Sequence, residues 1–388
     1  MFMFQGYAVM LGNPMRVLKV ELGIGDEGAS AFQDAVASFG AVKSLMRVMQ
    51  VALLGVLQPK GIVCFAYVTM CLAVVVPLVF VFGLGIKDLW VVYLEYILSG
   101  VAIGCFEGTF LSLIAPLGRN TKAYALMGAP LGFAVHNIFL GTLEQWGMPP
   151  CGYYVVTLCC LPFALRIFCA HCPAQPACGA PPGYKALTAS MVRFKEWLPA
   201  VLPWLTAKFL GNFVMEDAFP LLFNTFNTGS VPVWMPEDIA PTVPFKYYTA
   251  WYWFVLMMVG DTISRHYSRN VPLKTRSDCV LAMTLAMCLC VGGEALDLLL
   301  IPIVSGLAVF ISYFGNGFLY GLSAKFLDSH VSEEHRYVAY NLWCLLGDIG
   351  GFVGQCSVSV AIAHAACGGR HYKFVCHSDV ATPPIVGT

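Results

Sequence analysis

The sequence predicts an all-α, polytopic membrane protein, and three observations carry that prediction. Hydrophobic residues fill 58% of the 388 positions, charged residues only 11%, and the mean hydropathy is +0.72. A soluble domain carries roughly 25% charged residues, so less than half of the usual solubilising charge is present. The apolar residues also gather into stretches of about 20, the length that crosses a bilayer as helix. The 22 basic residues balance 22 acidic ones, whereas a protein that grips nucleic acid by charge needs a basic surplus. A soluble enzyme, a disordered tail protein and an electrostatic nucleic-acid binder are therefore excluded.

About eleven spans can be placed in order. Met1 to Leu11 is too short to cross a bilayer and stops at Asn13-Pro14. It reads as the tail of a first span whose start is missing, not as a signal peptide, because no basic region precedes it and no small-residue cleavage site follows. Residues 36–57 form the second span, interrupted by Lys43 and Arg47. Gly61 to Leu84 is the third, bounded by Pro59-Lys60 and Lys87-Asp88. Residues 89–117 make a fourth, long enough to be tilted or broken, and residues 124–143 and 153–168 make the fifth and sixth. From His171 to Lys195 the chain turns rich in Pro, Ala and Gly with scattered basic residues, which marks a linker. Five more spans follow, at 197–222, 247–264, 279–291, 298–324 and 338–366. The expected organisation is an N-terminal helix bundle at 1–170, a cytosolic linker at 171–196, a C-terminal bundle at 197–366 and a tail at 367–388.

Loop charges test that order. With the linker in the cytosol, Lys60, Arg119, Lys122, Arg166, Lys185, Arg193, Lys195, Arg265, Arg269, Lys274, Arg276, Lys325 and Arg336 fall on the cytosolic side. Arg16, Lys19, Lys87, Lys246, Arg370 and Lys373 fall opposite. The bias of roughly two to one follows the positive-inside rule. Six spans, a cytosolic linker and five more spans point to a two-bundle fold of the major-facilitator type, which places its substrate site near the bilayer midplane at the repeat interface. The two halves show no convincing sequence repeat, and a channel or a membrane scaffold fits the same count.

A charge in the hydrocarbon core costs at least about 2.5–3.5 kcal/mol, so charges inside spans identify candidate chemistry. Lys43 and Arg47 stand four apart on one face of the second span. Glu95 and Glu107 lie in the fourth, Lys208, Glu216 and Asp217 in the seventh, Asp261 near the end of the eighth and Asp348 in the eleventh. The acidic groups either neutralise the basic ones or take up protons during transport; a static ion pair is the plainer alternative. Asp261 and Arg265, four apart at the cytosolic boundary, are expected to form a structural pair. His136, inside the fifth span, suits a proton relay in an acidic compartment, and a buried, hydrogen-bonded imidazole fits equally. His335 stands in the charge run Ser332-Glu333-Glu334-His335-Arg336, whose ordinary fate is solvation.

The 16 cysteines call for a metal check. Cys169-Ala170-His171-Cys172 followed by Cys178 has ligand types but no second paired cluster at zinc spacing. Acylation of Cys169 or Cys172 competes there with inert thiols, and a disulfide among Cys151, Cys367 and Cys376 stays open. Trp251-Tyr252-Trp253 reads as an interfacial belt. No phosphate loop, nucleophile elbow or H-E-x-x-H helix occurs. The expectation is a protein that is not an enzyme and carries no metal or cofactor. Its partners would be membrane lipids and a small polar solute, with protons as a candidate companion and no nucleic acid.

Four segments carry a family resemblance. Glu107-Gly-Thr109-Phe110-Leu111-Ser112-Leu113 resembles the E-x-T-F-L-S-L segment of the battenin family. Ser332-Glu333-Glu334-His335-Arg336 is similar to that family's S-D-E-H-R. Tyr7-Ala8-Val9-Met10-Leu11 resembles the end of its first span, and Tyr252 to Ser268, with Gly260, Ser264, Arg265 and Ser268, its Y-x-x-G-x-x-x-S-R-x-S stretch. The order is kept along nearly the whole chain. The resemblance implies a transporter-like protein of lysosomal or vacuolar membranes, from a family associated with vacuolar pH, basic amino-acid balance and glycerophosphodiester export. Two departures bear on location: the lead-in before the first span is short, and Ile385 to Thr388 is not a prenylation box. A second resemblance is to equilibrative nucleoside transporters, through Asp261-Thr-Ile-Ser264-Arg265, similar to D-x-x-G-R with serine for glycine, and Asn316-Gly317-Phe318-Leu319, similar to N-G-Y-L.

The expectation is thus a battenin-like carrier of endolysosomal or vacuolar membranes, with the plasma membrane as the other location. It would move a small polar or charged solute by alternating access. Glu107 would be the central acid, Lys43 and Arg47 its opponents, and Glu216 and Asp217 contributors from the second bundle. A nucleoside carrier, or a trafficking scaffold that docks partners on the linker and on Ser332–Arg336, are the alternatives.

Overall fold

Long apolar runs without β-branched dominance leave helix as the one local structure that satisfies its own backbone in lipid, and helix is what forms. The structure, a computed structural model, describes residues 1–12, 14–24, 29–53, 57–172, 191–226, 230–232, 242–244, 248, 252, 254–297 and 301–368. Twelve α-helices are present among them: α1 (Phe2–Gly12), α2 (Pro14–Glu21), α3 (Ala29–Leu53), α4 (Pro59–Pro77), α5 (Trp90–Ile114), α6 (Arg119–Gln145), α7 (Gly152–His171), α8 (Phe194–Phe226), α9 (Phe254–Ser268), α10 (Arg276–Asp297), α11 (Pro302–His330) and α12 (Glu333–Gly368). One two-stranded antiparallel ribbon departs from the all-helical expectation: β1 (Ser230–Pro232) pairs with β2 (Thr242–Pro244), Val231 opposite Val243.

Seven stretches among the described residues are long and apolar enough to cross a membrane, at Pro59–Gly83, Trp90–Ile114, Asn120–Glu144, Gly152–His171, Phe194–Met215, Arg276–Asp297 and Ile303–His330. They coincide with the predicted third to seventh, ninth and tenth spans. Helix α3 falls short because Asp34, Lys43 and Arg47 dilute its hydropathy, and α9 because it has 15 residues. Proline sets two breaks. Pro77 cannot donate to the Ala73 carbonyl, and α4 continues from Leu78 to Gly83 as a π-helix. Pro116 follows α5, which runs as one helix from Trp90 to Ile114 and ends in a 3₁₀ segment, Ala115–Leu117. Gly118, at φ +102°, then reverses the chain into α6, a conformation that only glycine adopts without strain. Helix α2, absent from the span reading, is a short amphipathic piece with Leu18 buried and Val20 79% exposed.

Two compact units divide the chain. The first comprises Met1–Pro203 with Phe326–Leu345, and the second comprises Trp204–Lys325 with the part of α12 from Leu346 onward. The divisions fall inside α8, α11 and α12, so each of these helices serves both units. In the first unit α5 is the central helix, packed on α3 and α4, while α1 packs on α6 and α7. An aromatic chain fills the core: Phe4 stacks on Phe106 at 4.3 Å, Phe106 on Phe110 at 5.1 Å, and Tyr67 meets Phe106 edge-on at 5.3 Å. The α3–α5 contact is close because Gly100 and Gly104 face it. A Cβ on Gly104 would lie 2.7 Å from Met46 Cβ and 2.8 Å from the Lys43 carbonyl oxygen, and one on Gly100 would lie 2.8 Å from the Phe39 carbonyl oxygen. Small residues give membrane helices this proximity where no hydrophobic force acts between them.

In the second unit α10 and α11 are tied by Ser312 Oγ, which donates to the Cys290 carbonyl at 3.2 Å. A Cβ on Gly315 would lie 2.6 Å from the Cys290 nitrogen and 2.8 Å from the Ala286 carbonyl oxygen. Outward faces of both units expose large apolar side chains, such as Leu72, Phe163, Leu281 and Leu285. Water penalises that surface and hydrocarbon accepts it.

Gly104→Leu is expected to force α3 off α5 and to cost about 1–3 kcal/mol, the usual overpacking penalty. Thermal unfolding of the detergent-solubilised protein should register it as a lowered midpoint. Gly40→Ala, where no atom of another segment stands within 4 Å of the added Cβ, should leave the midpoint unlowered, since alanine is the better helix former.

Candidate functional site

In the first unit the site is built on the α3–α5 seam. Arg47 points from α3 into that seam with no exposed side-chain surface, and its Nη2 donates to Glu107 Oε2 of α5 at 2.7 Å, with Glu107 20% exposed. One turn along α3, Gln50 Nε2 donates to the Gly104 carbonyl at 2.7 Å. One turn back, the half-buried Lys43 holds its ammonium 5.7 Å from the Phe39 ring centroid. A guanidinium is tolerable in such a place only when a carboxylate and good geometry offset its desolvation, and the glycines opposite make room for both. The Glu107 segment spreads its residues over several neighbours. Thr109 shares a 3.2 Å hydrogen bond with the Tyr337 hydroxyl of α12, Phe110 joins the aromatic chain, Leu111 is fully buried and Ser112 is half-buried.

The second unit carries a separate polar layer. Asp261 and Arg265, one turn apart on α9, form a buried two-pronged pair: Nε donates to Oδ1 at 2.6 Å and Nη2 to Oδ2 at 2.9 Å. The Arg265 guanidinium lies 4.3 Å from the centroid of the Tyr320 ring of α11, and the Lys208 ammonium of α8 lies 4.6 Å from the same centroid. Lys208 Nζ also donates to Asn212 Oδ1 at 2.7 Å, and Asn212 Nδ2 donates to the Gly347 carbonyl of α12 at 2.9 Å. Ser264 is buried and donates to the Asp261 carbonyl, with Gly317 of α11 against both residues. Two cations and one tyrosine face thus gather charge from α8, α9 and α11.

Other predicted residues take more local roles. His136 Nδ1 donates to the Gly132 carbonyl at 2.7 Å, and its ring lies 5.0 Å from that of Phe2. His335 is not solvated as its charge run suggested. It is buried against Trp197, ring centroids 6.2 Å apart, with Glu196 Oε2 at 3.9 Å, because α12 starts at Glu333 and turns this position inward. Glu334 pairs with Arg193 at an exposed site, and Arg336 donates to the Asp328 carbonyl at 3.1 Å. The helix holding Glu216 and Asp217 is described, but their side chains lie outside the described residues, as do the greater part of the linker, Cys178, Cys376, Trp251 and Trp253 and the side chain of Cys367. Cys151, Cys169 and Cys172 are free thiols. Among the described residues no three His, Cys, Asp or Glu side chains gather as a metal site would require.

Two clusters have partners that the sequence reading did not foresee. Lys122, assigned to a loop, is buried: Nζ donates to both oxygens of Asp328, at 2.8 and 2.7 Å, and to the Tyr340 hydroxyl, which donates to Asp328 Oδ1 at 3.0 Å. This clasp joins the start of α6 to the α11–α12 turn within the first unit. Lys60 similarly crosses to the end of α7, donating to the carbonyls of Cys169 and Cys172, where a cation complements the helix C-terminus. The second cluster surrounds Glu95, 1% exposed and next to Tyr154 of α7.

No protein-family model matches the chain, and no curated protein matches it. Solved structures do. The chain is similar to the Escherichia coli fucose:proton symporter over 94% of its own length and 91% of that chain, at 13% identity and a TM-score of 0.62. It is similar to the proton:xylose symporter XylE over 100% and 90%, at 10% identity and 0.65. It is similar to the human organic anion transporter MFSD10 over 92% and 91%, at 13% identity and 0.62. The fold is major-facilitator-like, that of a polytopic membrane protein.

Lys122→Ala should leave Asp328, 29% exposed, with the Tyr340 hydroxyl still donating to it, and destabilise the protein by about 1.5–3 kcal/mol, the usual range for a hydrogen bond to a charged group. Adding Asp328→Ala should recover a large part of that loss, and a thermal double-mutant cycle reads the coupling directly.

Proposed function

We propose that the chain is a solute carrier, not an enzyme, and moves a small polar or charged solute by alternating access. In the fuller form of this proposal it is battenin-like and acts in an endolysosomal or vacuolar membrane, where it affects organelle pH or the balance of basic amino acids and glycerophosphodiesters. The observation that carries the proposal is the buried Arg47–Glu107 pair, set in a segment that resembles the E-x-T-F-L-S-L of that family. The major-facilitator fold supports the carrier part, since proteins of similar structure are described as fucose:proton and xylose:proton symporters and as an organic anion transporter.

The chemistry follows from the pair. Arg47 offers guanidinium donors from a site where water does not compete, and Glu107, one-fifth exposed, is the member that an arriving polar group can address. A solute with an anionic or hydroxyl-rich head would take over part of the Arg47 hydrogen bonding. One with a cationic head would do the same at Glu107. Exchange of partners, with no net loss of hydrogen bonds, lets a charge dwell in the membrane interior at small cost.

A second reading, a nucleoside carrier, has its own observation: Asp261, Ser264 and Gly317, from the two segments that resemble equilibrative nucleoside transporters, are in contact in the second unit.

Purified protein in proteoliposomes should be offered glycerophosphodiesters, lysine, arginine and nucleosides in parallel, and acidic organelles with and without the protein should be profiled for the same compounds. Glu107→Gln exchanges a charge-assisted hydrogen bond, about 1.5–3 kcal/mol, for a neutral one, so flux should fall roughly tenfold or more. Unchanged flux in Glu107→Gln removes the role assigned to Glu107, and nucleoside flux alone would favour the second reading.

A further inference from the structure

Glu95 lies in the second turn of α5 and is 1% exposed. Three tyrosines and a serine surround it, all buried: Tyr7 of α1, Tyr96 and Ser99 of α5, and Tyr154 of α7. The hydroxyls have their own partners. Tyr7 donates to Ser99 Oγ at 2.6 Å, Ser99 Oγ donates to the Glu95 carbonyl at 2.7 Å, and Tyr96 donates to the Leu11 carbonyl at 2.9 Å. Tyr154 is hydrogen-bonded to the Glu95 carboxyl. The carboxyl Oε2 is the atom left over, enclosed and without a hydrogen-bond partner among the described residues.

No cation among the described residues pairs with Glu95. Arg47 belongs to Glu107, twelve residues along α5, which is about 18 Å of helix. Among the described residues, the titratable side chains in electrostatic contact with Glu95 or with its tyrosines are Tyr7 of α1, Cys71 of α4, Tyr96 of α5 and Tyr154 of α7, all hydroxyls or thiols; α3, which also packs on α5, carries Asp34, Lys43 and Arg47. On α6, His136 is held against Phe2 of α1, and the Glu144 carboxylate is engaged by Tyr153, whose hydroxyl donates to it at 2.5 Å. An ionised carboxylate with one hydrogen bond and no cation would carry much of the cost of a desolvated charge. A carboxylic acid carries none of it. Its added proton sits on the one oxygen that lacks a partner.

We propose that Glu95 is a proton-binding site of this carrier, separate from the Arg47–Glu107 pair. It takes one proton on its free oxygen to become a carboxylic acid and returns it to become a carboxylate, with no other bond made or broken. Tyr154 stabilises the charged form while it lasts, and the Tyr7–Ser99 chain holds the backbone around it. Glu95 and Tyr154 both lie near the starts of their helices, on the side opposite the basic linker, so the proton is taken from and returned to that aqueous side. The proposal rests on the transport reading for the word carrier, while proton binding itself stands on this cluster.

Infrared difference spectroscopy of the full chain in lipid nanodiscs, stepped across pH, tests it without any solute. The expected result is a protonated carboxyl C=O band that titrates with pH, disappears in Glu95→Gln and moves in frequency and midpoint in Tyr154→Phe. Size-exclusion profiles of both variants report that they are folded, and glutamine keeps the shape and neutrality of the protonated side chain. A band that survives Glu95→Gln overturns the proposal. So does a band whose midpoint shifts when sodium replaces N-methylglucamine at constant pH, since that marks a metal-cation site. Silent flux assays with an intact Glu95 band would sink the transport reading alone; a missing band with active flux would sink Glu95 alone.

Discussion

One constraint organises the paired charges among the described residues: a charge placed in hydrocarbon is costly unless a partner inside the protein offsets it, because no counter-ion is at hand in lipid. Arg47 meets that demand through Glu107 on the neighbouring helix, Lys122 through Asp328 and Tyr340, and Arg265 through Asp261 on its own helix. These pairs also fix which helix faces which. Arg47 and Glu107 lie 60 residues apart in the chain and Lys122 and Asp328 lie 206 apart. Each such contact selects one arrangement from the many that apolar faces alone would tolerate.

Glycine is the complement of charge here. Hydrocarbon tails pack on a leucine as well as another leucine does, so helices gain little from burying apolar surface against one another. What brings α3 onto α5 is the absence of side chains at Gly100 and Gly104, which shortens the gap until Gln50 reaches the Gly104 carbonyl and Arg47 reaches Glu107. In the second unit Gly317 gives the same closeness to Asp261 and Ser264, and Gly315 to Cys290. Backbone proximity and polar pairing are therefore one device. Widening the seam by a side chain would also lengthen the ion pair.

The chemistry divides into two kinds of place. Arg47–Glu107 and Asp261–Arg265 hold paired charge, with the Lys208 and Arg265 cations over the one Tyr320 ring, and in the proposed carrier a group on the solute exchanges with one partner of the Arg47–Glu107 pair. Glu95 has no ion pair among the described residues, and a buried acid without a cation changes its charge by gaining or losing a proton. The proposed solute step and the proposed proton step thus fall on the same helix, α5, at turns about 18 Å apart, each with its own neighbours.

Much of the fold was legible from hydropathy and loop charge, because the bilayer imposes its thickness on every span and the positive-inside rule orients the loops. Helical spacing alone foresaw Asp261 with Arg265, and the cost of charge singled out Arg47 and Glu107. Tertiary structure decided the rest. Lys122 read as a loop lysine until α11 and α12 brought Asp328 and Tyr340 to it, and His335 read as solvated until Trp197 covered it. Pairing within one helix follows from a period of 3.6 residues; pairing across helices depends on which faces meet, and small residues spread through distant segments set those faces.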